Sequence, residues 1–178
     1  MRETEILKRD TRRDMMVCAI FFARRLRENT RHRGGTMQKV RLNDLDHGVQ
    51  LCCMRARDVR SRAHEPYSKF KVGCAVRGGD GNIHIGVNVE NSAYPMTRCA
   101  EGNAISGMVG RGVVNIDYLV IALKGGGSPC GGCRQIIWEF SHGNKDLAIY
   151  CFDAEDKSGN PWVNKTSIGE LLPYAFEL

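Results

Sequence analysis

The fold is decided by residues 128–135, which read SPCGGCRQ, together with residues 99–101, which read CAE. Each stretch stands where a predicted helix begins, and a predicted strand separates the two. Cys130 and Cys133 are three residues apart at one helix start, and Cys99 opens the other helix. Unpaired N–H groups and the positive end of the helix dipole favour thiolate over thiol at such positions. The pattern therefore predicts three thiolates held by two helix N-termini.

Three thiolates at this spacing indicate a zinc site of the catalytic type. Structural zinc sites are closed by four ligands, whereas catalytic sites keep three protein ligands and one open position. Glu101 follows Cys99 by two residues and is placed to move protons rather than to bind the metal. A structural zinc, or three unrelated buried thiols, would leave Glu101 unexplained. The other cysteines lie on apolar faces and are predicted to be core thiols: Cys18, Cys52, Cys53, Cys74 and Cys151.

Hydrophobic periodicity predicts an α/β protein with a mixed sheet covered on both faces. Apolar residues at helical spacing predict a helix from Asn43 or Asp44 to about Ala63. Alternation over 70–76 and 83–89, around a glycine-rich turn, predicts a β-hairpin. The remaining predicted elements are a helix at 99–109, an interior strand at 118–123, a helix at 130–140, strands at 147–152 and 161–163, and a short helix at 168–172.

The length of 178 residues suits one domain preceded by a basic extension. Residues 1–36 hold ten basic and five acidic side chains, whereas residues 37–178 hold sixteen and fifteen. Because the second part is nearly neutral, the net charge of +6 does not indicate nucleic-acid binding. No apolar run approaches the length of a membrane span. We expect residues 1–36 to be a poorly ordered extension and residues 37–178 the catalytic domain, with Met37 as an alternative start.

The apolar stretch 15–23 has the order of charges seen in a signal peptide but not its cleavage site. Arg24 and Arg25 stand where small residues would be required, and five acidic residues argue against a mitochondrial presequence. A chain of this length can also bury a core without disulfides. The expected location is therefore cytoplasmic and reducing.

With these residues in place, the sequence resembles the cytidine deaminase family. Besides the two cysteine stretches, three others match the family's motifs in the family's order: residues 67–73 (YSKFKVG), 86–91 (GVNVEN) and 171–176 (LLPYAF). The resemblance covers residues from about 40 to 178. The resemblance implies a three-layer α/β/α fold with a mixed five-stranded sheet and one zinc ion per subunit. It also implies hydrolytic deamination of cytidine and deoxycytidine in pyrimidine salvage.

The resemblance assigns roles to single residues. Zinc is bound by Cys99, Cys130 and Cys133, and Glu101 is the catalytic proton shuttle. Phe70 stacks near the base, while Asn88 and Glu90 bind the ribose 3′-hydroxyl. The remaining substrate-binding positions are Tyr94, Ala100, Ser128 and Phe176. In relatives, the aromatic residues at positions 94 and 176 come from neighbouring subunits, which implies a homotetramer with shared pockets.

One departure from the family concerns the charge around the metal. Three thiolates on one Zn²⁺ leave a net charge of −1, and small tetrameric members commonly carry arginine directly after the CAE glutamate. This sequence has Gly102 there. Arg134, next to Cys133, and the two helix N-termini are the predicted sources of compensating positive charge.

Other functions stay open on sequence alone. A deaminase of a related aminonucleoside (blasticidin-type or a modified cytidine) is kept open by Gly102, although Asn88 and Glu90 argue against it. A non-catalytic zinc-binding paralogue is a third interpretation. Phe70 could equally be a core residue, and Phe176 could anchor the tail to its own subunit. Without a basic stripe, a polynucleotide is disfavoured, so the expected partner is a small nucleoside, with no nucleic acid and no membrane.

Overall fold

The computed structural model describes residues 37–177, and in this range six strands form one mixed sheet in the order β1-β6-β5-β4-β2-β3. The strands are β1 (Gln38–Arg41), β2 (Val72–Gly78), β3 (Ile83–Val87), β4 (Ile116–Leu123), β5 (Ala148–Asp153) and β6 (Trp162–Ser167). Strands β4 and β5 are parallel, and the other neighbouring pairs are antiparallel. The predicted hairpin is the β2–β3 pair.

Helices cover both faces of the sheet. They are α1 (His47–Arg60), α2 (Ala100–Val109), α3 (Gly131–Glu139) and the short α4 (Ile168–Leu171). Residues of α1 form one apolar cluster with Ala75, Val120 and Phe152. Residues of α2, α3 and α4 form a second cluster on the opposite face. The predicted three-layer α/β/α fold is therefore confirmed.

Strand β4 lies at the centre of both clusters. Leu119 and Ile121 belong to the cluster with α2 and α3, whereas Val120 and Ala122 belong to the cluster with α1. These four side chains are at most 1 % exposed. Burying an aliphatic side chain contributes about 1.5–3 kcal/mol. A strand buried on both faces needs a continuous apolar run, which is the pattern that predicted this strand.

The strand count differs from the prediction, because β1 was not expected. Its sequence, QKVR, has no apolar alternation, and its side chains are exposed or half-buried. Strand β1 lies at the edge of the sheet and pairs only with β6. The Arg41 guanidinium also lies 3.9 Å from the centre of the Trp162 ring. Backbone pairing and this cation–π contact hold β1, and neither produces a hydrophobic pattern.

The predicted ends of α1 were wrong. Residues Leu42–Asp44 form a separate 3-10 turn, so the helix begins at His47 and ends at Arg60. The backbone N–H of Asn43 donates to Asn160 Oδ1 at 3.0 Å, which fixes this turn to a distant loop. Asn43 is therefore not a helix cap, although its residue type suits that position.

No helix among residues 37–177 is long and apolar enough to cross a membrane. The seven cysteines in this range form no disulfide, and four of those predicted to be core thiols are buried: Cys52, Cys53, Cys74 and Cys151. The predicted extension at residues 1–36, including Cys18, lies outside the described residues, and the boundary at Met37 stays a prediction.

Helix α2 lies directly on strand β3 at Gly86. A Cβ atom added there would come within 2.4 Å of both the Ala100 carbonyl oxygen and the Ala104 backbone nitrogen. These are backbone atoms of a packed helix and cannot move aside singly. By contrast, a Cβ atom added at Gly107, on the same helix, would have no neighbour within 4 Å.

We therefore expect Gly86→Ala to destabilise the protein by about 3 kcal/mol, because the added methyl group overpacks the contact between α2 and β3. The measurement is the free energy of unfolding in urea. Gly107→Ala is the matched control and should stabilise the protein by about 1 kcal/mol, since alanine favours the helix interior. Equal stability of Gly86→Ala and the wild type would contradict the close approach.

Candidate active site

Three cysteine sulfurs meet where α2 and α3 begin. Cys99 is the residue that precedes α2, Cys130 precedes α3, and Cys133 lies in the first turn of α3. Their Sγ atoms all lie within 4.8 Å of one another, and those of Cys99 and Cys130 are 4.0 Å apart. The predicted juxtaposition of the two cysteine stretches is what the structure has.

This donor set fits zinc. A Zn–S bond of about 2.3 Å in tetrahedral geometry separates two sulfur ligands by about 3.8 Å, close to the spacing of Cys99 and Cys130. Thiolates are preferred ligands of zinc, and three of them leave one position open. Among residues 37–177, these cysteines are the one group of histidine, cysteine or acidic side chains with metal-ligand spacing.

The three thiols do not ionise alike in the absence of a cation. Hydrogen bonds from the Cys133 and Cys99 thiols lower the pKa of Cys130 to about 2, and the backbone N–H groups of Cys133 and Gly132 act in the same direction. The pKa of Cys99 is raised to about 12, first by its hydrogen bond to Cys130. That of Cys133 is raised for the same reason. A divalent cation is needed to hold all three as thiolates at neutral pH.

Glu101 lies buried in the first turn of α2, with 4 % of its surface exposed. Burial raises the pKa of its carboxyl group to about 7, and repulsion by the Cys130 thiolate adds to this effect. The Cys133 side chain shifts this pKa in the opposite direction, so two of the three cysteines act on the carboxyl group. A carboxyl group that titrates near neutral pH suits general acid–base chemistry.

Arg134 positions the loop that carries the metal ligands. Its guanidinium donates to the Pro129 carbonyl at 2.9 Å, to Ser128 Oγ at 3.1 Å and to the Leu171 carbonyl at 3.1 Å. None of these hydrogen bonds ends on a ligand sulfur. The sequence predicted Arg134 as a source of positive charge. Its contacts also connect residues 128–129 to the C-terminal segment at Leu171.

Gly102 leaves space beside the site. A Cβ atom added there would meet only the Ile136 Cδ1 atom, at 3.6 Å, within ordinary contact distance. The donors that approach the sulfurs are instead backbone N–H groups at the start of α3, such as the Cys133 nitrogen at 3.5 Å from Cys130 Sγ. The helix N-terminus therefore supplies positive potential where an arginine side chain is lacking.

The predicted sugar-binding residues contact the segment that leads into β2. Asn88 Oδ1 accepts from the Val72 N–H at 2.8 Å, and Asn88 Nδ2 donates to the Phe70 carbonyl at 2.8 Å. Glu90 Oε2 accepts from the N–H groups of Tyr67 at 2.9 Å and Ser68 at 3.1 Å. Asn88 thus holds the backbone of Phe70, and Glu90 holds residues 67–68, in addition to their predicted contacts with substrate.

The remaining predicted residues divide by exposure. Ala100 is fully buried under Gly86, whereas Tyr94 is 72 % exposed and Phe176 is 67 % exposed. The backbone of Phe176 is held by Gln135, whose amide donates to its carbonyl at 3.0 Å and accepts from its N–H at 3.2 Å. Sequence reasoning assigned no role to Gln135, and its place directly after Arg134 was the available signal.

Comparisons with known proteins agree with this geometry. Residues 49–150 match the family model described as the cytidine and deoxycytidylate deaminase zinc-binding region. A cytidine deaminase from Sporosarcina psychrophila is 38 % identical over 130 residues, which are 72 % of this chain and 90 % of that one. A cytidine deaminase from Mycoplasma pneumoniae is 39 % identical over 142 residues, 78 % of this chain and 96 % of its own.

Solved structures give the same result. The crystal structure of cytidine deaminase from Burkholderia pseudomallei aligns with a TM-score of 0.65 at 32 % identity, over 74 % of this chain and all of that chain. The crystal structure of cytidine deaminase from Mycobacterium tuberculosis aligns with a TM-score of 0.60 at 31 % identity, over 75 % of this chain and all of that chain. The chain therefore belongs to the cytidine and deoxycytidylate deaminase family. It is an enzyme of the hydrolase type whose cofactor is zinc.

We expect Cys130→Ala to lose most of the one zinc ion per chain that the wild type carries, because two thiolates cannot hold the metal against a chelator. Zinc is measured by atomic absorption after dialysis against a weak chelator. Cys52→Ala is the matched control, since Cys52 is buried on the opposite face of the sheet, and it should keep the full zinc content. Full zinc in Cys130→Ala would remove this cysteine from the ligand set.

Proposed function

We propose that this chain hydrolyses cytidine and deoxycytidine, releasing ammonia and leaving uridine and deoxyuridine. The observation that carries the proposal is the buried Glu101 carboxyl group beside three sulfurs that can share one metal ion. Family membership supports the same reaction, because the relatives named above are cytidine deaminases. Loss of the cytidine ultraviolet band, with one ammonia released per nucleoside consumed, is the direct test.

The chemistry divides between the metal and one carboxyl group. Zinc held by Cys99, Cys130 and Cys133 would polarise a water molecule so that it loses a proton near neutral pH. Glu101 accepts that proton and delivers it to ring nitrogen N3 while the water oxygen bonds to C4. Glu101 then carries the second proton from the added oxygen to the 4-amino group. The C4–N4 bond breaks, ammonia leaves, and a carbonyl group remains at C4.

The carboxylate of Glu90 favours a nucleoside over a free base as the substrate. Burial alone would raise the pKa of Glu90, but hydrogen bonds from Ser68 and Tyr67 lower it below its usual value, so the group is ionised at neutral pH. A carboxylate has about four acceptor positions, and three are filled by residues 67–68. The last is free for the predicted ribose 3′-hydroxyl. A substrate without that hydroxyl leaves the position unpaired.

The exposed aromatic residues support assembly into a homotetramer with shared pockets. Tyr94 and Phe176, which the sequence places in the pockets of neighbouring subunits, are mostly exposed in the single chain. An aromatic side chain that is exposed in the single chain is available to the pocket of a neighbouring subunit, as the family resemblance implies. We also place the reaction in pyrimidine salvage. The seven free thiols among residues 37–177 suit a reducing cytoplasm.

Replacing Glu101 by glutamine should lower kcat on cytidine by about 10³-fold or more, because the amide can neither accept nor release the shuttled protons. Zinc content should stay at the wild-type value, since Glu101 is not a ligand. The control is Glu155→Gln, which removes a surface ion pair with Arg60 and should change kcat less than twofold. Unchanged turnover in Glu101→Gln, with zinc retained, would remove Glu101 from the role of proton shuttle, whereas a zinc-loaded wild type without turnover would support the non-catalytic interpretation.

Introducing a cation at position 102 tests the charge of the site. Gly102→Arg should raise kcat or shift the pH optimum downward, because a guanidinium near the thiolates strengthens the pull of the metal on water. The space around Gly102 admits the first side-chain atom without displacement. The control is Gly107→Arg, on the same helix and with the same open surroundings. Identical pH–rate profiles for the wild type and Gly102→Arg would show that missing positive charge does not limit turnover.

A substrate panel separates the proposal from its enzymatic alternative. Cytidine, deoxycytidine, cytosine, 3′-deoxycytidine and a blasticidin-type aminonucleoside are each offered to the wild type. We expect turnover of the first two, weak turnover of the forms without a 3′-hydroxyl, and none of the last. Faster turnover of the aminonucleoside than of cytidine would replace cytidine as the proposed substrate.

A further inference from the structure

The serine at position 68 joins two parts of the substrate pocket that the sequence motifs treat separately. Its Oγ atom accepts a hydrogen bond from the Phe70 N–H at 3.0 Å and also contacts Glu90 Oε1 at hydrogen-bond distance. A hydroxyl group has a single proton. Since the Phe70 N–H can only donate, that proton is directed to the Glu90 carboxylate. The order of the chain is therefore Phe70 N–H to Ser68 O–H to Glu90.

The two ends of this chain have different functions. Phe70 is the residue predicted to stack near the base, and Glu90 is the residue predicted to accept the ribose 3′-hydroxyl. Hydrogen bonds in series polarise one another, so each strengthens its neighbour. The hydroxyl of Ser68 thus links the position of the Phe70 backbone to that of the Glu90 carboxylate.

The backbone between Ser68 and Phe70 is strained. Lys69, between Ser68 and Phe70, has a φ of 57°, in the left-handed region that disfavours side chains other than glycine. This conformation brings the Cβ atom too close to the backbone and is unfavourable for lysine. Its N–H donates to the Glu65 carbonyl at 3.1 Å, and the Ser68 hydroxyl holds the residue that follows it. The conformation persists only while these contacts hold it.

Phe70 itself lies outside the sheet ladder. Its N–H bonds to the Ser68 side chain and its carbonyl to the Asn88 side chain, so both of its backbone groups depend on side chains. Strand β2 begins two residues later, at Val72. Removing either side chain releases one end of this residue.

We propose that Ser68 is a positioning residue that couples the base side of the pocket, at Phe70, to the sugar side, at Glu90. The inference rests on the proposed function for its substrate, but the coupling itself is a property of the free protein. Among the described residues, the side chain of Ser68 forms its hydrogen bonds with Glu90 and Phe70, so we expect it to act on substrate binding and sugar discrimination rather than on the chemical step.

The test compares Ser68→Ala, Ser68→Thr, Glu90→Gln and the double variant Ser68→Ala/Glu90→Gln in the full chain. In Ser68→Ala, the loss of the two hydrogen bonds of the hydroxyl group should raise KM for cytidine by about three- to tenfold. We expect kcat to stay within about twofold, and the preference for cytidine over 3′-deoxycytidine to fall by the same factor as KM rises. Threonine retains the hydroxyl and should restore most of both values. The double variant should resemble Glu90→Gln, because the two residues act as one unit.

A second measurement needs no activity. Amide hydrogen exchange at Phe70 should be faster in both Ser68→Ala and Glu90→Gln than in the wild type, with Ser68→Thr close to the wild type. The matched control is Ser61→Ala, which loses one hydroxyl hydrogen bond at the end of α1 and should leave KM and the exchange at Phe70 unchanged.

The outcomes are distinguishable. If the wild type deaminates neither nucleoside, the proposed function fails, while Phe70 exchange still decides the coupling. An unchanged cytidine preference in a folded Ser68→Ala overturns the positioning role. If Ser68→Ala does not fold, Glu90→Gln and Ser68→Thr decide it, because unaltered exchange at Phe70 in Glu90→Gln would also overturn the coupling.

Discussion

The structure depends on two helix N-termini that must meet closely enough for their cysteines to share one ion. Strand β4 ends at Leu123 and runs parallel to β5, so the chain between them crosses over through α3 and brings Cys130 to that end of the sheet. Helix α2 reaches the same place because Gly86 lets its backbone lie against β3. The 4.0 Å between Cys99 and Cys130 results from both constraints, and a side chain at Gly86 would shift one helix relative to the other.

The charges of the site cannot coexist without a cation. The pKa values of Cys99 and Cys133 are raised chiefly by their hydrogen bonds with Cys130, and that of Glu101 is raised chiefly by burial; repulsion among these groups adds to each shift. The guanidinium of Arg134 is committed to the surrounding loop, so backbone N–H groups at the start of α3 are the donors nearest Cys130. A divalent ion held by Cys99, Cys130 and Cys133 would offset part of this repulsion. It would thereby favour the ionised form of Glu101 as well as supply a reactive water.

Local sequence signals predicted the cysteine cluster and the interior strand β4. They did not predict the edge strand or the hydrogen bonds between segments that are distant in the chain. The ligand cysteines and the interior strand could be predicted, because residue type and short-range spacing carry both. Strand β1 could not, since an edge strand is held by backbone pairing and requires no apolar pattern. The hydrogen bond from Arg134 to Leu171 spans 37 residues and has no local signature. Asn88 was predicted to bind substrate, and nothing in its residue type shows that its amide also holds residues 70–72.

One face of one strand connects the metal side of the site to its sugar side. Gly86, Asn88 and Glu90 alternate along β3 and its extension, so they point to the same side. Gly86 lies against the first turn of α2, Asn88 holds the backbone of Phe70, and Glu90 holds residues 67–68. Asn103 of α2 adds a hydrogen bond to the Val87 carbonyl at 2.9 Å. The helix that carries Glu101 and the segment that carries Phe70 are therefore fixed to a common element. In the proposed reaction, this arrangement would set the distance between C4 of the nucleoside and the Glu101 carboxyl group.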